Sequence, residues 1–349
     1  MSKQTVDEHI ESARAAGLHY VTDAMPGVRR EQASRGFSYI DANGELIRDR
    51  AARRRFKALA IPPAWTDVWI CPDPHGHIQV TARDSKGRKQ YRYHPKYREV
   101  RDETKFDRML EFSKVLPQIR EHVERDMSLP DLPRRKVLAA VVCLLEKTLI
   151  RIGSDEYAKE NKSFGLTTLR RRHAEVSGWK IKFEFKGKSG KAHSVSITDR
   201  RLANIVQHCQ TLPGQELFKY VDEDGKRQTV DSGDINEYLK EITGGDYTAK
   251  DFRTWAGTVH AATTLRELGP TASDREAKSN VVRAVDHVAE QLGNTRAVCR
   301  KYYIHPGVID SYLEGRVLKS PPPEKHKRER SSAALRRDEL AVMKFLELG

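Results

Sequence analysis

The chain is poor in cysteine and has no long apolar run. Its four cysteines are far apart in the 349 residues, with no C-x-x-C pair and no short cluster of Cys and His. The sequence therefore indicates neither a zinc site nor a disulfide framework. No stretch approaches the roughly 20 apolar residues of a transmembrane helix, and residues 1–22 contain no apolar signal core. These absences predict a cytoplasmic protein with reduced thiols.

Two patterns for cofactors are also absent. The phosphate-binding motif G-x-x-x-x-G-K-S/T does not occur, and no constellation of acidic residues suggests a metal site. We therefore expect no nucleotide cofactor and no metal. Positive charge is abundant, because 63 Lys and Arg outnumber 49 Asp and Glu and give a formal net charge of +14. This excess favours a nucleic-acid partner, although anionic membranes attract the same kind of protein.

The length allows two domains, because domains usually contain roughly 100–200 residues. The first quarter of the chain predicts β-structure. Its apolar runs are Phe37–Ile40, Val68–Cys71 and His77–Thr81. From about Lys96 the pattern becomes helical, and Val137–Ile150 is apolar on nearly all sides, which is typical of a buried central helix. We place the boundary near residue 97, between a β-rich domain (1–97) and a mostly α-helical domain (98–318).

One segment of the second domain interrupts the helical pattern. Apolar and polar residues alternate from Trp179 to Phe185 and again from Val195 to Ile197, with the basic run Lys186–Lys191 between them. This pattern predicts a β-hairpin with a basic tip. The predicted fold class is therefore α+β, with a small N-terminal β-sheet domain followed by a larger, mostly α-helical domain that carries a β-hairpin.

The sequence after the hairpin predicts two helices and a basic tail. One helix begins at Thr248 and stops at Gly269, and the next begins at Ser273 and ends near Gly293. Each start has an acidic residue three positions later, which is the spacing of a capping box. Residues 319–349 contain three consecutive prolines and many basic residues in their first part, which predicts a solvated linker before a short helix at 339–348.

Four cations occur where a folded chain can direct them at an anion. Arg151 directly follows the apolar helix, and Lys188 lies in the hairpin tip. Lys250 and Arg253 are three residues apart near the start of a helix. An arginine fork matches two phosphate oxygens, and the glycine beside Lys188 permits a close approach to a nucleic-acid backbone. Each cation also has a purely structural explanation. Arg151 can bind the carbonyls at a helix end, Lys188 can lie in a solvated turn, and the other two can form salt bridges on a helix surface.

Two tyrosines, Tyr302 and Tyr303, lie together in a basic run, and Tyr303 is nine residues after Asn294. A tyrosine can attack a phosphate, but its phenol has a reference pKa of about 10. It therefore needs donors that stabilise negative charge on the phosphoryl group and a partner that protonates the leaving alcohol. Asn294 can donate an N–H to a phosphate oxygen or cap the next helix. Both tyrosines are also explained as core or interface aromatics.

The chain resembles the type IB DNA topoisomerases of the small poxvirus and bacterial kind, in motifs that occur in order along most of its length. These motifs are Arg151-Ile152-Gly153, Lys159-Glu160-Asn161, Gly165-Leu166-Thr167-Thr168-Leu169, Phe185 to Lys191, Lys250-Asp251-Phe252-Arg253-Thr254 and Arg300 to Pro306. In the β-rich domain, Gly87 to His94 is similar to the family's DNA-contacting segment. The resemblance implies a fold like that of tyrosine recombinases and type IB topoisomerases.

The resemblance implies that Tyr303 is the nucleophile. It would form a 3′-phosphotyrosyl bond and expel a strand with a 5′-hydroxyl end. The family's offset of nine residues from position 294 selects Tyr303 rather than Tyr302. Arg151 and Arg253 are expected to stabilise the non-bridging phosphate oxygens.

Three further roles follow from the resemblance. Lys188 is expected to be the leading general acid for the 5′ oxygen, and Lys250 is expected to assist it or to contact phosphate. Asn294 stands where the poxvirus and nuclear enzymes have histidine, so we expect it to hydrogen-bond the transition state rather than to transfer a proton.

The expected substrate is double-stranded DNA, preferably supercoiled, held in a clamp formed by the two domains. The expected DNA contacts are Arg88 and Lys89 to phosphates, Gln90, Tyr91 and Tyr93 to base edges or sugar, and Tyr157 to a phosphate. Exchange of one phosphoester for another conserves the bond, so neither ATP nor a metal is needed. We expect a monomer that acts on the nucleoid.

Two alternatives remain open. A tyrosine recombinase or integrase has the same Arg, Lys, Arg and Tyr chemistry, but typically has His-x-x-Arg where this chain has Lys250-x-x-Arg253. That lysine favours the topoisomerase. The other alternative is a basic DNA-binding protein without enzymatic activity, in which Tyr303 is only structural.

Overall fold

The structure, a computed structural model, describes residues 3–34, 36–84, 87, 89–319 and 335–348, and of residues 3–8, 101–104, 156 and 157 it describes the backbone alone. The chain forms two compact units, Met1–Asp107 and Arg108–Gly349. The predicted boundary near residue 97 and the division after Asp107 both fall within one helix, Pro95–Met127. Because that helix is continuous, no turn or linker in the sequence marks the division.

The first unit is built on a five-stranded antiparallel sheet with the strand order β2-β1-β3-β4-β5. Its elements are α1 (Lys3–Ala15), β1 (Val28–Ala33), β2 (Gly36–Ile40), α2 (Arg50–Ala58), β3 (Thr66–Ile70), β4 (Ile78–Arg83) and β5 (Lys89–Tyr93). The three strands predicted from apolar runs are confirmed as β2, β3 and β4. Side chains of the sheet, among them Tyr39, Ile70 and Val80, pack with Phe56 of α2 into one buried core.

Helix α2 was not predicted, because its sequence Arg-Ala-Ala-Arg-Arg-Arg-Phe-Lys-Ala is dominated by charge. It forms because Asp49 caps its N-terminus, accepting a hydrogen bond from the Ala52 amide at 2.7 Å. Arg55 then fixes the helix to the sheet, since its Nη2 donates to the Cys71 carbonyl at 2.7 Å and to Gln79 Oε1 at 2.8 Å. One arginine of this basic run is therefore a structural tether.

The second unit is mostly helical and contains a three-stranded sheet, β6-β7-β8, and a two-stranded sheet, β9-β10. Its elements are α3 (Pro95–Met127, which begins in the first unit), α4 (Arg134–Thr148), α5 (Asp155–Asn161), β6 (Ala174–Ser177), β7 (Lys180–Lys186), β8 (Ala192–Thr198), α6 (Arg200–Thr211), β9 (Lys219–Val221), β10 (Arg227–Thr229), α7 (Ser232–Thr243), α8 (Ala249–Leu268), α9 (Asp274–Leu292), α10 (Arg296–Tyr302), α11 (Pro306–Leu313) and α12 (Arg337–Glu347). The α+β fold class and the hairpin, β7 and β8, are confirmed. No helix in the described ranges is long and apolar enough to span a membrane.

Helix α4 is the buried centre of the second unit, as its apolar sequence predicted. Val137, Leu138, Leu144 and Leu145 have no exposed surface, and α4 packs against α6, α7, α8 and β8. Full burial of one such side chain contributes roughly 1.5–3 kcal/mol. The C-terminal end of α4 is consequently a rigid point from which the following residues are positioned.

The ends of α8 and α9 are confirmed where the capping signals predicted them. The Thr248 amide donates to Asp251 Oδ2 at 2.7 Å, which closes the capping box of α8. Ser273 Oγ accepts from the Glu276 amide at 3.4 Å at the start of α9. Gly293 ends α9 with a φ of +59°, a left-handed conformation that glycine adopts readily.

The predicted C-terminal helix is present as α12, and a buried ion-pair network fixes it to α3. Arg120 is 7% exposed and Glu339 is 6% exposed. Arg120 Nη2 donates to Glu339 Oε1 at 2.8 Å and to Glu146 Oε1 at 2.7 Å. The guanidinium therefore joins three helices, α3, α4 and α12, with its charge matched by two carboxylates.

Replacing Arg120 with Ala is expected to lower the free energy of unfolding by about 3–5 kcal/mol, because it removes the buried guanidinium and leaves Glu146 and Glu339 with only the exposed Arg336 as a cationic partner. Arg125→Ala, on the same helix, is the matched control, since the Arg125–Glu121 pair is exposed and its loss is expected to cost below about 1 kcal/mol. Urea unfolding measures both. Equal losses for the two variants would show that the buried network does not stabilise the unit.

Candidate active site

Arg151 is positioned by the end of α4 and by the Gly165–Thr168 segment. Leu149 adopts a left-handed conformation, with a φ of +54°, and turns the chain after α4. The Leu166 amide then donates to the Arg151 carbonyl at 2.9 Å. A Cβ added at Gly165 would lie 2.5 Å from the same carbonyl oxygen. The main chain at Arg151 is therefore held by a glycine that no larger residue can replace without a shift.

The side chain of Arg151 is joined to Asn294. Arg151 Nη2 donates to Asn294 Oδ1 at 2.5 Å. The main-chain N–H of Asn294 donates to the Ala289 carbonyl, in the last turn of α9, at 2.9 Å. Because the arginine can only donate, the oxygen of the Asn294 side chain faces it. The amide nitrogen Nδ2 faces the other way, is buried, and has no hydrogen-bond partner among the described residues.

Arg253 is 4% exposed, so the alternative explanation of a solvated, salt-bridged helix face does not apply to it. Its two terminal nitrogens donate to the carbonyls of Leu149 and Leu292, the latter at 2.7 Å. These carbonyls are at the C-terminal ends of α4 and α9, where a cation is stabilising. Burial lowers the pKa of the Arg253 guanidinium. The nearby Tyr303 raises this pKa in part, and the positive charge of Arg151 lowers it further. Arg253 Nε is buried without a partner in the described part of the chain.

Tyr303 directly follows α10 and is half-buried. Its ring centroid lies 5.5 Å from the Arg253 guanidinium carbon, within the range of a cation–π contact. Its main chain lies against α8, since a Cβ added at Gly257 would come within 2.5 Å of the Tyr303 carbonyl oxygen. Thr258 Oγ1 donates to that oxygen at 3.4 Å. The tyrosine that faces the buried arginine is thus the predicted one, whereas Tyr302 is 36% exposed.

A cavity of about 270 Å³ brings three of the predicted cations together, Arg151, Lys188 and Arg253. Lys188 is exposed in a short 3-10 turn at the tip of the β7–β8 hairpin. The hairpin is joined to the Arg151 region, because the Phe164 amide donates to the Lys186 carbonyl at 2.8 Å. In the part of the chain that the structure describes, no group of His, Cys, Asp or Glu is arranged to hold a metal ion.

Lys250 is not among the residues that line this cavity. It is exposed in the first turn of α8, one turn before the buried Arg253. The two cations, three residues apart, therefore have different surroundings. The predicted assisting role of Lys250 stays a prediction.

The predicted DNA-contacting strand is β5 of the first unit. Tyr91 is 43% exposed and stacks on Tyr93, with ring centroids 5.9 Å apart. Lys89 Nζ pairs with Asp23 Oδ2 at 2.5 Å, and Gln90 Nε2 donates to Asp84 Oδ2 at 3.0 Å. Both polar side chains are therefore paired with carboxylates in the structure, and their predicted contacts with DNA stay predictions.

Two of the predicted DNA contacts cannot be located in the structure. Arg88 lies outside the described residues, and of Tyr157, in α5, only the backbone is described. Both stay predictions.

The sequence patterns did not single out His193, whose ring lines the cavity. A signal for it exists in the hairpin: positions 193, 195 and 197 of β8 pair with Phe185, Phe183 and Ile181 of β7. Val195 and Ile197 are apolar, as that face requires. Of these three positions on one face of β8, only position 193 carries a polar side chain, and it lies at the end of the strand that lines the cavity.

Known proteins similar to this chain are DNA topoisomerases. Residues 94–319 match the family described as eukaryotic DNA topoisomerase I, catalytic core, and residues 36–84 match bacterial DNA topoisomerase IB, N-terminal domain. DNA topoisomerase 1B of Acanthamoeba polyphaga mimivirus is 34% identical over 298 residues, covering 82% of this chain and 88% of the viral protein. DNA topoisomerase 1B of vaccinia virus (strain Copenhagen) is 22% identical over 274 residues, covering 75% and 82%. The match to the catalytic core includes Arg151 to Tyr303, whereas β5 lies between the two matched regions.

Proposed function

The chain belongs to the family of type IB DNA topoisomerases, which are isomerases, and from that premise we propose how its residues carry out the reaction. The Tyr303 hydroxyl oxygen bonds to a backbone phosphorus of one strand, the bond from phosphorus to the 5′ oxygen breaks, and the phenol proton passes to water. Lys188 donates a proton to the leaving 5′ oxygen. The free end rotates, and attack of the 5′-hydroxyl on the phosphotyrosyl ester reverses each step.

The observation that carries the proposal is a pair of buried donors, Arg253 Nε and Asn294 Nδ2, that have no hydrogen-bond partner among the residues that the structure describes. A buried N–H without an acceptor costs about 1–3 kcal/mol, so such groups are rare away from functional sites. Both belong to side chains that contact another proposed catalytic residue, since Asn294 accepts from Arg151 and Arg253 faces Tyr303. The non-bridging oxygens of a phosphate bound beside Tyr303 would supply acceptors for both.

The charges around the cavity support the same assignment. Burial lowers the pKa of Arg253, with Tyr303 opposing and the neighbouring Arg151 reinforcing the shift. A phosphate that becomes more negative in the transition state would stabilise both guanidinium groups while they stabilise it. Because these donors are already in place, little reorganisation accompanies the reaction.

We propose that the reaction needs neither ATP nor a metal. One phosphoester bond is exchanged for another, so religation needs no external energy, and the guanidinium groups supply the charge neutralisation that a metal would otherwise provide. Torsional strain then drives rotation, which favours supercoiled DNA as substrate. We also propose that the protein acts as a monomer, in the cytoplasm on the nucleoid.

The experiment that tests the proposal is covalent capture on DNA. The protein is mixed with supercoiled plasmid in EDTA without ATP, denatured rapidly, and digested, and the peptide that carries a nucleotide is identified by mass spectrometry. We expect relaxed plasmid and an adduct on Tyr303. No adduct and no relaxation would leave a DNA-binding protein without this activity.

Two other outcomes of the capture experiment are informative. An adduct on Tyr302 would support the same enzyme class but identify Tyr302, not Tyr303, as the nucleophile. Joining of ends between two duplexes, in place of relaxation of a single plasmid, would assign the chain to the tyrosine recombinases.

A further inference from the structure

His193 is packed where the hairpin meets the end of α9. It lies on β8 directly opposite Phe185 of β7, and the two rings stack with centroids 5.1 Å apart and planes 10° apart. Its ring lines the same cavity as Arg151, Lys188 and Arg253. Phe185 is 7% exposed, so the stacking fixes one face of the imidazole against the hydrophobic core.

The edge of this ring touches two glycines. A Cβ added at Gly187 would lie 2.6 Å from His193 Nε2, and one added at Gly293 would lie 2.8 Å from His193 Cε1. These distances leave no room for any side chain at either position. Gly187 directly precedes Lys188, and Gly293 directly precedes Asn294. The imidazole therefore separates the main chains of the two segments that carry these side chains.

The two segments are not equally fixed without His193. Gly293 and Asn294 are held by the last turn of α9, and Asn294 is also held by Arg151. The hairpin tip is an exposed three-residue turn, closed by a hydrogen bond from the Gly187 amide to the Lys191 carbonyl at 2.8 Å. Removal of the imidazole would release the tip, and with it Lys188, more than it would disturb Asn294.

The charges around His193 favour its neutral form. Burial lowers the pKa of His193, and Arg151, Lys191 and Arg253 lower it further in that order. Lys188 and Glu290 also line the cavity, so the cations around it outnumber the Glu290 carboxylate. A neutral imidazole adds no further positive charge beside the arginines.

We propose that His193 is a positioning residue that holds the Lys188 tip of the hairpin at a fixed distance from the Gly293–Asn294 segment. This inference rests on the proposed function, in which Lys188 protonates the 5′ oxygen as the phosphorus–oxygen bond breaks. Loss of His193 would leave Arg151, Arg253 and Tyr303 in place for the attack. It would impair only the delivery of the proton to the leaving group.

The test compares two DNA substrates in single-turnover cleavage, one natural and one with sulfur in place of the 5′-bridging oxygen. A thiolate is a good leaving group without protonation, so a defect confined to proton delivery disappears on the sulfur substrate. A general acid contributes about 10²–10⁴-fold to rate. We expect His193→Ala to slow natural cleavage by about 10- to 100-fold, a part of that contribution, and to cleave the sulfur substrate within about threefold of wild type.

Two variants act as reference and control. Lys188→Ala shows the loss of rate when the general acid is absent, and its cleavage rate should also return close to that of wild type on the sulfur substrate. His208→Ala makes the same change at an exposed position of α6, and should match wild type on both substrates. If Lys188→Ala does not recover on sulfur, the proposed role of Lys188 is wrong and the inference loses its premise. If Lys188→Ala recovers and His193→Ala is equally slow on both substrates, or as fast as wild type on both, the inference about His193 is wrong.

Gly187 supplies an independent variant. Its φ of −93° and ψ of −162° suit any residue, so the obstacle to Gly187→Ala is the contact with the His193 ring. Gly187→Ala should show the same sulfur-dependent defect as His193→Ala. The double variant Gly187→Ala/His193→Ala should cleave natural DNA faster than Gly187→Ala alone, because the methyl group occupies part of the space that the ring leaves. A double variant slower than both single variants would overturn the proposal.

Discussion

Tyr303→Phe will bind DNA but form no covalent adduct and relax no supercoiled plasmid. The substitution removes only the hydroxyl oxygen, so the ring keeps its contact with the Arg253 guanidinium and the main chain keeps its contact with α8. No other group in the proposed mechanism can form the phosphoester bond. Loss of the nucleophile in a comparable covalent mechanism lowers the rate by about 10⁴-fold or more. Plasmid relaxation and trapping of denatured complexes measure the loss, and a binding assay confirms that the fold is intact.

Tyr302→Phe is the matched control for this prediction. It removes the same atom from the neighbouring residue, whose side chain is 36% exposed. We expect relaxation and adduct formation close to those of wild type. If Tyr302→Phe is inactive and Tyr303→Phe is active, the nucleophile is Tyr302. If both variants relax DNA, neither tyrosine is the nucleophile.

Arg253→Ala is expected to slow cleavage by about 100- to 1000-fold, because it removes one preorganised donor, Nε, from the transition state. The same change is expected to lower the free energy of unfolding by about 1–3 kcal/mol, since the Leu149 and Leu292 carbonyls lose their donor. The two effects must be separated. Single-turnover cleavage measured well below the unfolding temperature of the variant reports the catalytic loss, and urea unfolding reports the structural one.

Arg253→Lys separates the two roles further. A lysine keeps the positive charge but has no planar fork of donors, so it cannot reach two helix ends and a phosphate at once. We expect a rate between those of wild type and Arg253→Ala. Arg296→Ala is the control, since Arg296 is an exposed arginine of α10 paired with Asp286, and its rate is expected to stay within about threefold of wild type. A stable Arg253→Ala protein that cleaves at the wild-type rate would remove Arg253 from the mechanism.

Local signals predicted those parts of the fold that local interactions determine. The starts and ends of α8 and α9 were predicted because capping residues and a left-handed glycine act within one turn. The burial of α4 was predicted because apolar residues on every side leave no face for water. Strand β1 was not predicted, since its sequence Val-Arg-Arg-Glu-Gln-Ala contains almost no alternation. It is a strand because β2 and β3 pair with it on both sides.

The sequence likewise predicted the members of the site but not the contacts between them. The order of Arg151, Lys188, Arg253 and Tyr303 in the chain indicated the set, but not how each side chain is held. The burial of Arg253 depends on two helix ends that are far apart in sequence. The close contact of Gly257 with the Tyr303 carbonyl and the packing of the His193 ring between two glycines also join distant segments. No local pattern encodes such contacts.

The contact between α8 and the Tyr303 main chain has a mechanical consequence. In the proposed mechanism the nicked strand is attached to Tyr303 while the DNA rotates, and the rotating DNA pulls on that residue. The pull passes through the carbonyl that packs on Gly257 and accepts from Thr258, and so into the 20-residue helix that also carries Arg253. The hairpin tip with Lys188 lies outside this path of force. In this mechanism the nicked complex can therefore bear tension without separating the tyrosyl phosphate from Arg253, while Lys188 stays in place to take back the proton of the 5′-hydroxyl at religation.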